Sequence, residues 1–155
     1  NARESDSGIG AHTDYEFFTL LLPTSPGLQV LNGAGEWIEV PVLEGCFVLN
    51  IGDMMEVLSN GHYVSTSYRV RAVKAERYSF PFFAALDYET EVAPLDIFCK
   101  NKPPAYARIV CGEHLLAQTM QTFAYLKVRQ AEGKVALPAG SKGLSSFGHE
   151  QLKKG

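Results

Sequence analysis

The stretch GIGAHTDYEFFTLLLP, residues 8–23, places a histidine and an aspartate directly before a largely apolar run that Pro23 ends. His12 and Asp14 are two positions apart, and on a β-strand residues i and i+2 point to the same face. An imidazole and a carboxylate can then reach one point in space while the other side stays open for substrate and oxygen, as an open metal site requires. An isolated H-x-D pair occurs by chance in many proteins, so the pair alone indicates a metal site only weakly.

The chain around this stretch, up to about residue 85, is typical of short strands separated by turns. Residues 28–31 and 36–40 flank the turn sequence NGAG and predict a hairpin. The β-rich residues 63–73 and 77–83 flank a polar loop at 74–76 and predict a second hairpin. Residues 54–58 have the apolar spacing of a short helix. Strands this short and this regularly spaced favour a sandwich or a barrel.

The C-terminal part has a different character. Residues 112–132 carry apolar side chains at helical spacing and predict one amphipathic helix that ends at Gly133. From residue 134 the composition of Gly, Ser, Lys and Ala predicts a flexible tail. We therefore expect a core in residues 1–88, a loop and helix in 89–133 and a tail in 134–155. Asn1 is not a methionine and the H-x-D pair follows almost at once, so we expect a fragment or a processed chain that lacks an N-terminal portion.

Composition and charge limit the function classes. The 155 residues carry a net charge of −3 without a basic run, which argues against a nucleic-acid or membrane-surface partner. The three cysteines form no C-x-x-C pair, so neither a zinc site nor a disulfide framework is indicated, and Cys46 is expected in the core. No signal peptide or membrane-spanning stretch is visible, so we expect a cytoplasmic protein. The oligomeric state stays open.

A second polar pair lies at Arg77-Tyr78-Ser79. The guanidinium and the hydroxyl share one strand face by the same i, i+2 rule. Together they can bind one carboxylate, the arginine through its planar fork and the serine as an additional donor. A surface arginine beside an incidental serine would give the same pattern, so this pair is weaker evidence than the first.

The order of the motifs along the chain is more specific evidence for a protein family than any single motif. The motifs are GIGAHTDY at 8–15, GLQV at 27–30, NIGD at 50–53, SNG at 59–61, Arg69-Val70 and ERYSFPFF at 76–83. In this order they resemble the isopenicillin N synthase-like family of iron oxygenases, over residues 8–88. The resemblance implies a mainly β fold, a double-stranded β-helix (jelly-roll) barrel with a C-terminal α-helix packed on it. It also implies Fe(II) bound by His12 and Asp14, and 2-oxoglutarate as cosubstrate with its far carboxylate on Arg77 and Ser79.

The third metal ligand departs from the family pattern. The family has a histidine directly before Arg-Val, and Tyr68 occupies that position here. A phenol has a reference pKa of about 10, whereas a neutral imidazole is ready to bind metal at pH 7. A phenolate would favour ferric iron, so turnover is expected to suffer if Tyr68 is the third ligand. His62, His114 and His149 are each expected to be solvated or packed, and none is an evident replacement.

The remaining conspicuous side chains are expected to be structural. Trp37 and the phenylalanines at 80, 82 and 83 are expected in the core. Asp53 and Glu56 are expected to cap and solvate the short helix. Tyr15 and Phe17 fit either a pocket wall or the core.

Three functions are consistent with these residues. The leading hypothesis is oxidative decarboxylation of 2-oxoglutarate coupled to hydroxylation or desaturation of a small organic molecule. Within the same family, an oxidase without 2-oxoglutarate would use Arg77 and Ser79 to hold a carboxylate of the substrate. A rival from another class is a non-catalytic module that binds a carboxylate ligand with little or no metal. Tyr68 favours the rival. The enzyme is favoured by the intact set His12, Asp14, Arg77 and Ser79.

Overall fold

The computed structural model describes residues 7–74 and 76–139. Its elements in chain order are β1 (Ser7–His12), β2 (Phe18–Pro23), β3 (Leu28–Leu31), β4 (Trp37–Glu39), β5 (Val48–Ile51), α1 (Asp53–Leu58), β6 (Tyr68–Arg71), β7 (Ser79–Ala84), β8 (Glu91–Val92), a 3-10 turn (Asp96–Phe98), β9 (Ile109–Val110), α2 (Cys111–Thr122) and α3 (Ala124–Ala131). The described part is mainly β, as expected. None of its helices has the length and apolar character needed to cross a membrane.

Two antiparallel sheets form the body of the fold. One has the strand order β1-β6-β3-β4, the other β5-β2-β7, and β8 pairs with β9 in a small third sheet. The predicted hairpin of β3 and β4 is confirmed, with Val30 opposite Ile38. Its turn is closed by the Asn32 side chain, whose carbonyl oxygen accepts hydrogen bonds from the backbone N–H groups of Ala34 and Glu36.

The second predicted hairpin is wrong. β6 pairs with β1 and β3, whereas β7 pairs with β2, so the chain crosses from one sheet to the other between them. The β-rich composition predicted a strand in each range, and β6 and most of β7 lie there, but a local pattern does not specify the partner of a strand.

The sheet β5-β2-β7 has two different faces. The face with Thr19, Leu21, Val48 and Asn50 points toward the other sheet and borders a small interior void. The opposite face carries Phe80, Phe82 and Leu49, which are 60%, 62% and 56% exposed.

Several residues expected in the core are therefore placed elsewhere. Phe80 and Phe82 are exposed because no described element packs on their face, and Phe83 lies at a cavity wall and is also half exposed. Trp37 is only half buried, with the Arg69 guanidinium 4.2 Å above its ring. Cys46 is exposed because it precedes β5 in an irregular segment.

The main buried cluster lies around α1. Phe17, Met54, Val57, Val92 and Cys111 pack together there. Phe17 is thus a core residue, which decides between the two alternatives left open by the sequence.

A buried polar network joins α1 to α2. Asp53 accepts a hydrogen bond of 2.8 Å from the Ser65 hydroxyl and pairs at 3.0 Å with Nε2 of His114. Glu56 accepts hydrogen bonds from the Ser65 backbone N–H and from the Tyr106 hydroxyl. The expectation that Asp53 and Glu56 cap and solvate the helix is wrong, since both are buried and the N-cap position of α1 is Gly52.

The predicted C-terminal helix is two helices. Phe123 has φ −86° and ψ 125°, an extended conformation that ends α2 at Thr122 and lets α3 begin at Ala124. The β-branched Thr122 and the aromatic Phe123 both have reduced helix propensity, and the Thr122 hydroxyl donates to the Gln118 carbonyl. The predicted tail lies outside the described residues from residue 140 onward.

Candidate functional site

The backbone around His12 and Asp14 is fixed by two elements. His12 is the last residue of β1, and there it is paired with Tyr68 of β6. Asp14 lies two residues beyond the strand, where its carbonyl accepts a 2.9 Å hydrogen bond from Asp53 N–H at the start of α1. Gly52 is required at this contact, because a Cβ there would lie 2.2 Å from the Glu16 carbonyl oxygen. The loop is thus held by α1, not by continued strand geometry.

The Asp14 carboxylate is 4% exposed and both its oxygens accept hydrogen bonds. Oδ1 accepts from the Tyr68 hydroxyl at 2.9 Å, and Oδ2 accepts from the Asn50 amide at 2.8 Å. Burial, together with the negative charge of Asp14, raises the pKa of Tyr68 well above its usual range. Tyr68 is therefore a neutral hydrogen-bond donor to Asp14 and not a phenolate.

His12 has the orientation of a metal-binding histidine. Its Nδ1 lies 2.8 Å from the Gly10 carbonyl oxygen, which can only accept, so Nδ1 carries the proton. The lone pair is then on Nε2, the arrangement usual for ligating histidines whose other nitrogen donates to a carbonyl. The ring centroids of His12 and Tyr68 are 4.4 Å apart.

A cavity of about 530 Å³ opens beside these side chains. His12, Asp14 and Tyr68 line it together with Glu16 and Tyr15 from the same loop. The opposite wall comes from Phe83 and from Leu115, Thr119, Thr122 and Phe123. Tyr15 donates to or accepts from the Thr122 hydroxyl at 2.8 Å, which connects the two walls. Burial raises the pKa of Glu16, and Asp14 adds to the effect.

The second predicted pair lies elsewhere in the interior. Arg77 precedes β7, and its Nη1 lies 3.5 Å from the Ser79 hydroxyl at the start of that strand. Its Nε donates to the Ser25 carbonyl, while its Nη2 is buried without a hydrogen-bond partner among residues 7–74 and 76–139. Gly27 lies next to this arginine, and its φ of +127° is a backbone conformation that favours glycine.

The pair His12 and Asp14 and the pair Arg77 and Ser79 lie near different positions along β2. Thr19 lies opposite Asn50, the partner of Asp14, and Pro23 lies opposite Ser79. At roughly 3.3 Å per residue, these positions are about 13 Å apart. A void of about 10 Å³, bordered by Asp14, Thr19, Leu21 and Tyr68, lies on the same inner face. Arg77 and Ser79 border neither this void nor the large cavity.

The residues fit iron in part. His12 offers a free Nε2, and Asp14 is a buried carboxylate held in place by two donors. Tyr68 does not fit as a third ligand in this arrangement, since its proton is held by Asp14. No group of three His, Cys, Asp or Glu side chains in the described ranges is arranged to hold a metal ion.

The residues also fit a carboxylate cosubstrate. The unpartnered Nη2 of Arg77 is a buried cationic donor, which is costly unless an anion completes it. The buried Ser25 hydroxyl also lacks a partner in the described part of the chain, on the residue whose carbonyl holds Arg77.

Sequence reasoning did not assign roles to Asn50, Ser25 and Glu16. Asn50 is in a motif that was recognised, but its bond to Asp14 depends on the pairing of β5 with β2. Glu16 lies with Asp14 in the loop beyond β1, where the i, i+2 rule for strands gives no signal. No local signal singles out Ser25.

Comparisons with known proteins identify the family of this chain. The model of the 2OG-Fe(II) oxygenase superfamily matches residues 1–85. A homoarginine-6-hydroxylase of Arabidopsis thaliana is 43% identical over 131 residues, which cover 78% of this chain and 39% of the relative. A scopoletin 8-hydroxylase of the same plant is 42% identical, over 57% of this chain and 25% of the relative.

Solved structures are also similar. A Neurospora crassa protein in complex with alpha-ketoglutarate and thymine superposes with a TM-score of 0.69 at 28% identity, over 76% of this chain and 38% of that one. A rice dioxygenase for auxin oxidation superposes with a TM-score of 0.67 at 28% identity, over 92% and 45%. This chain spans about two fifths of the length of the homoarginine-6-hydroxylases that it matches. The chain belongs to the 2OG-Fe(II) oxygenase superfamily.

Proposed function

We propose that this chain forms the catalytic part of an Fe(II)- and 2-oxoglutarate-dependent oxygenase that hydroxylates or desaturates a small organic molecule. The observation that carries the proposal is the buried, unpartnered Nη2 of Arg77 beside Ser79, in an interior whose other end holds His12 and Asp14. We also infer that the two main sheets are the halves of a jelly-roll barrel, with residues 1–88 as its core. A cytoplasmic location is part of the same proposal, supported by the three free cysteines.

Each residue has a role in this proposal. His12 and Asp14 would hold the iron, and Arg77 and Ser79 would hold the far carboxylate of 2-oxoglutarate. When bound, iron and cosubstrate supply the activation of O₂, in which 2-oxoglutarate becomes succinate and CO₂ and the substrate is oxidised. Tyr68 and Asn50 orient the Asp14 carboxylate by donating to its two oxygens.

The direct test is 2-oxoglutarate binding and succinate formation. Arg77→Met removes the guanidinium and is expected to weaken 2-oxoglutarate binding at least tenfold, because a hydrogen-bonded ion pair to a carboxylate is lost. Arg71→Met is the matched control, since Arg71 is exposed and pairs with Glu39 on the surface. Equal affinity in Arg77→Met and Arg71→Met would contradict the proposal.

A second function is favoured by the Tyr68 contact. Because the Tyr68 hydroxyl donates to Asp14 Oδ1, where the family has a metal-binding histidine at position 68, the fold can also serve as a carboxylate-binding module. Iron content and succinate formation, measured on protein loaded anaerobically with Fe(II), distinguish the enzyme from the binding module. The enzyme retains iron and forms succinate, whereas the module binds 2-oxoglutarate with neither.

Relatives give the substrate class in general terms. The names of the similar proteins refer to homoarginine and scopoletin, and one similar structure contains thymine. On this basis the substrate of this chain is a small organic molecule that fits the cavity beside His12.

A further inference from the structure

Thr19 carries a buried hydroxyl that has no hydrogen-bond partner among residues 7–74 and 76–139. The residue lies in β2 and is 2% exposed, so its side chain is shielded from bulk water. A buried hydroxyl without a partner is destabilising, and valine would suit the same strand position without that cost. The hydroxyl therefore indicates a partner that the described part of the chain does not supply.

Thr19 faces the interior at the end that holds the metal pair. It lies opposite Asn50 of β5, whose amide donates to Asp14. Together with Asp14 and Tyr68 it borders the void of about 10 Å³. A space of this size admits one group about as large as a water molecule, which corresponds to one end of a ligand and not to a whole substrate.

Two further buried polar atoms of the described residues lack a partner, and they lie near the other end of β2. They are Nη2 of Arg77 and Oγ of Ser25. Arg77 lies just before β7, whose first residue pairs with the last residue of β2. Leu21 lies between the two ends on the inner face and offers an apolar surface. An elongated ligand with an oxygen-bearing group at each end would satisfy the donors at both ends.

We propose that the Thr19 hydroxyl donates a hydrogen bond to the keto-acid end of 2-oxoglutarate, while Arg77 and Ser79 hold its far carboxylate. The inference rests on the proposed function, because it takes 2-oxoglutarate as the cosubstrate. The oxygens of a keto acid accept hydrogen bonds at neutral pH and do not donate them, so a hydroxyl donor matches them. Thr19 is thus a cosubstrate-binding residue and takes no part in holding the metal.

Thr19→Val tests this role, because it removes the hydroxyl and keeps a branched side chain. Binding of 2-oxoglutarate to protein loaded with Fe(II) is measured anaerobically by calorimetry. The variant is expected to bind about tenfold more weakly, since a hydrogen bond to a charged acceptor is lost. Thr90→Val is the matched control, because Thr90 lies in the loop before β8 and borders neither the void nor the large cavity. Equal affinity in the two variants would overturn the inference.

Thermal unfolding of the ligand-free protein separates this role from a structural one. Because the Thr19 hydroxyl has no partner in the described chain, Thr19→Val is expected to raise the melting temperature by about 1–4 °C. A lower melting temperature, or a variant that does not fold, would show that the hydroxyl supports the fold and would overturn the inference. Thr19→Ser keeps the hydroxyl and is expected to bind 2-oxoglutarate within about twofold of the wild type.

A ligand without the far carboxylate locates the contact. 2-Oxopentanoate has the keto-acid end of 2-oxoglutarate and a methyl group in place of the far carboxylate. Thr19→Val is expected to weaken both ligands by a similar factor, whereas Arg77→Met weakens 2-oxoglutarate alone. A loss confined to 2-oxoglutarate in Thr19→Val would contradict the assignment of Thr19 to the keto-acid end.

The wild type distinguishes failure of this inference from failure of the proposed function. Wild-type protein that does not bind 2-oxoglutarate would refute the proposed function, and this inference with it. Wild-type binding together with unchanged affinity in Thr19→Val would refute only the role of Thr19.

Discussion

On the proposed function, we expect Tyr68 to limit how much iron this site holds. Tyr68→His is expected to raise the iron content of protein loaded anaerobically with Fe(II) about tenfold or more at limiting metal, because a neutral imidazole adds a third ligand. Tyr68→Phe keeps the ring and loses only the hydrogen bond to Asp14, so its iron content is expected to stay near that of the wild type. Metal analysis after removal of free iron measures the iron content of both variants. Equal iron content in wild type and Tyr68→His would contradict the expectation that position 68 limits iron binding.

The cysteines are expected to differ in reactivity. Cys46 is exposed, whereas Cys111 is buried at the start of α2, where burial raises the pKa of its thiol. A raised pKa lowers the thiolate fraction at pH 8, and the thiolate is the reacting form. In a titration with a chromogenic disulfide, Cys46 is expected to react first and Cys111 only on unfolding. The Cys46→Ser variant should lose the fast phase, and an unchanged fast phase would contradict the assignment.

For single residues, the sequence predicted that His12 and Asp14 lie close together, but it did not predict the local geometry or hydrogen bonds that place them there. His12, Asp14 and Tyr68 line one cavity although Asp14 lies beyond β1, so the i, i+2 argument reached a correct grouping through incorrect local geometry. The hydrogen bond from Tyr68 to Asp14 was not predictable, because it depends on the register of β1 against β6.

The polar link between α1 and α2 is the main contact between elements that sequence patterns did not reveal. His114→Ala removes the partner of buried Asp53 and is expected to lower the free energy of unfolding by about 3 kcal/mol. His62→Ala is the control, since His62 is exposed and its ring lies against those of Tyr63 and Phe98, and it should cost about 0.5 kcal/mol or less. Urea unfolding of both variants gives the comparison. Similar losses in the two would show that the link contributes little.

Element boundaries followed the apolar patterns, while connections did not. Strands β3 and β4 and helix α1 lie where the sequence predicted them, because their signals are local. The crossing between β6 and β7 depends on the pairing of distant segments, which a periodicity does not encode. The break at Phe123 has a local cause, the low helix propensity of Thr122 and Phe123, which the apolar spacing does not register.

For the molecule as a whole, the outer face of the sheet β5-β2-β7 is an exposed apolar surface. Phe82 is 62% exposed on this face, whereas Phe17 is 8% exposed in the core. Phe82→Thr is expected to change the free energy of unfolding by less than about 0.5 kcal/mol, because little area is buried and threonine suits a strand. Phe17→Ala is expected to cost about 3–5 kcal/mol through the cavity that it leaves.

The same substitution tests what this face does to solubility. Contiguous exposed apolar area favours self-association, so Phe82→Thr is expected to raise the concentration at which the isolated chain stays monomeric in sedimentation or light scattering. Thermal unfolding of both variants, run beside the scattering measurement, separates solubility from stability. If Phe82→Thr destabilises the chain as much as Phe17→Ala does, Phe82 is buried in solution and the face is covered.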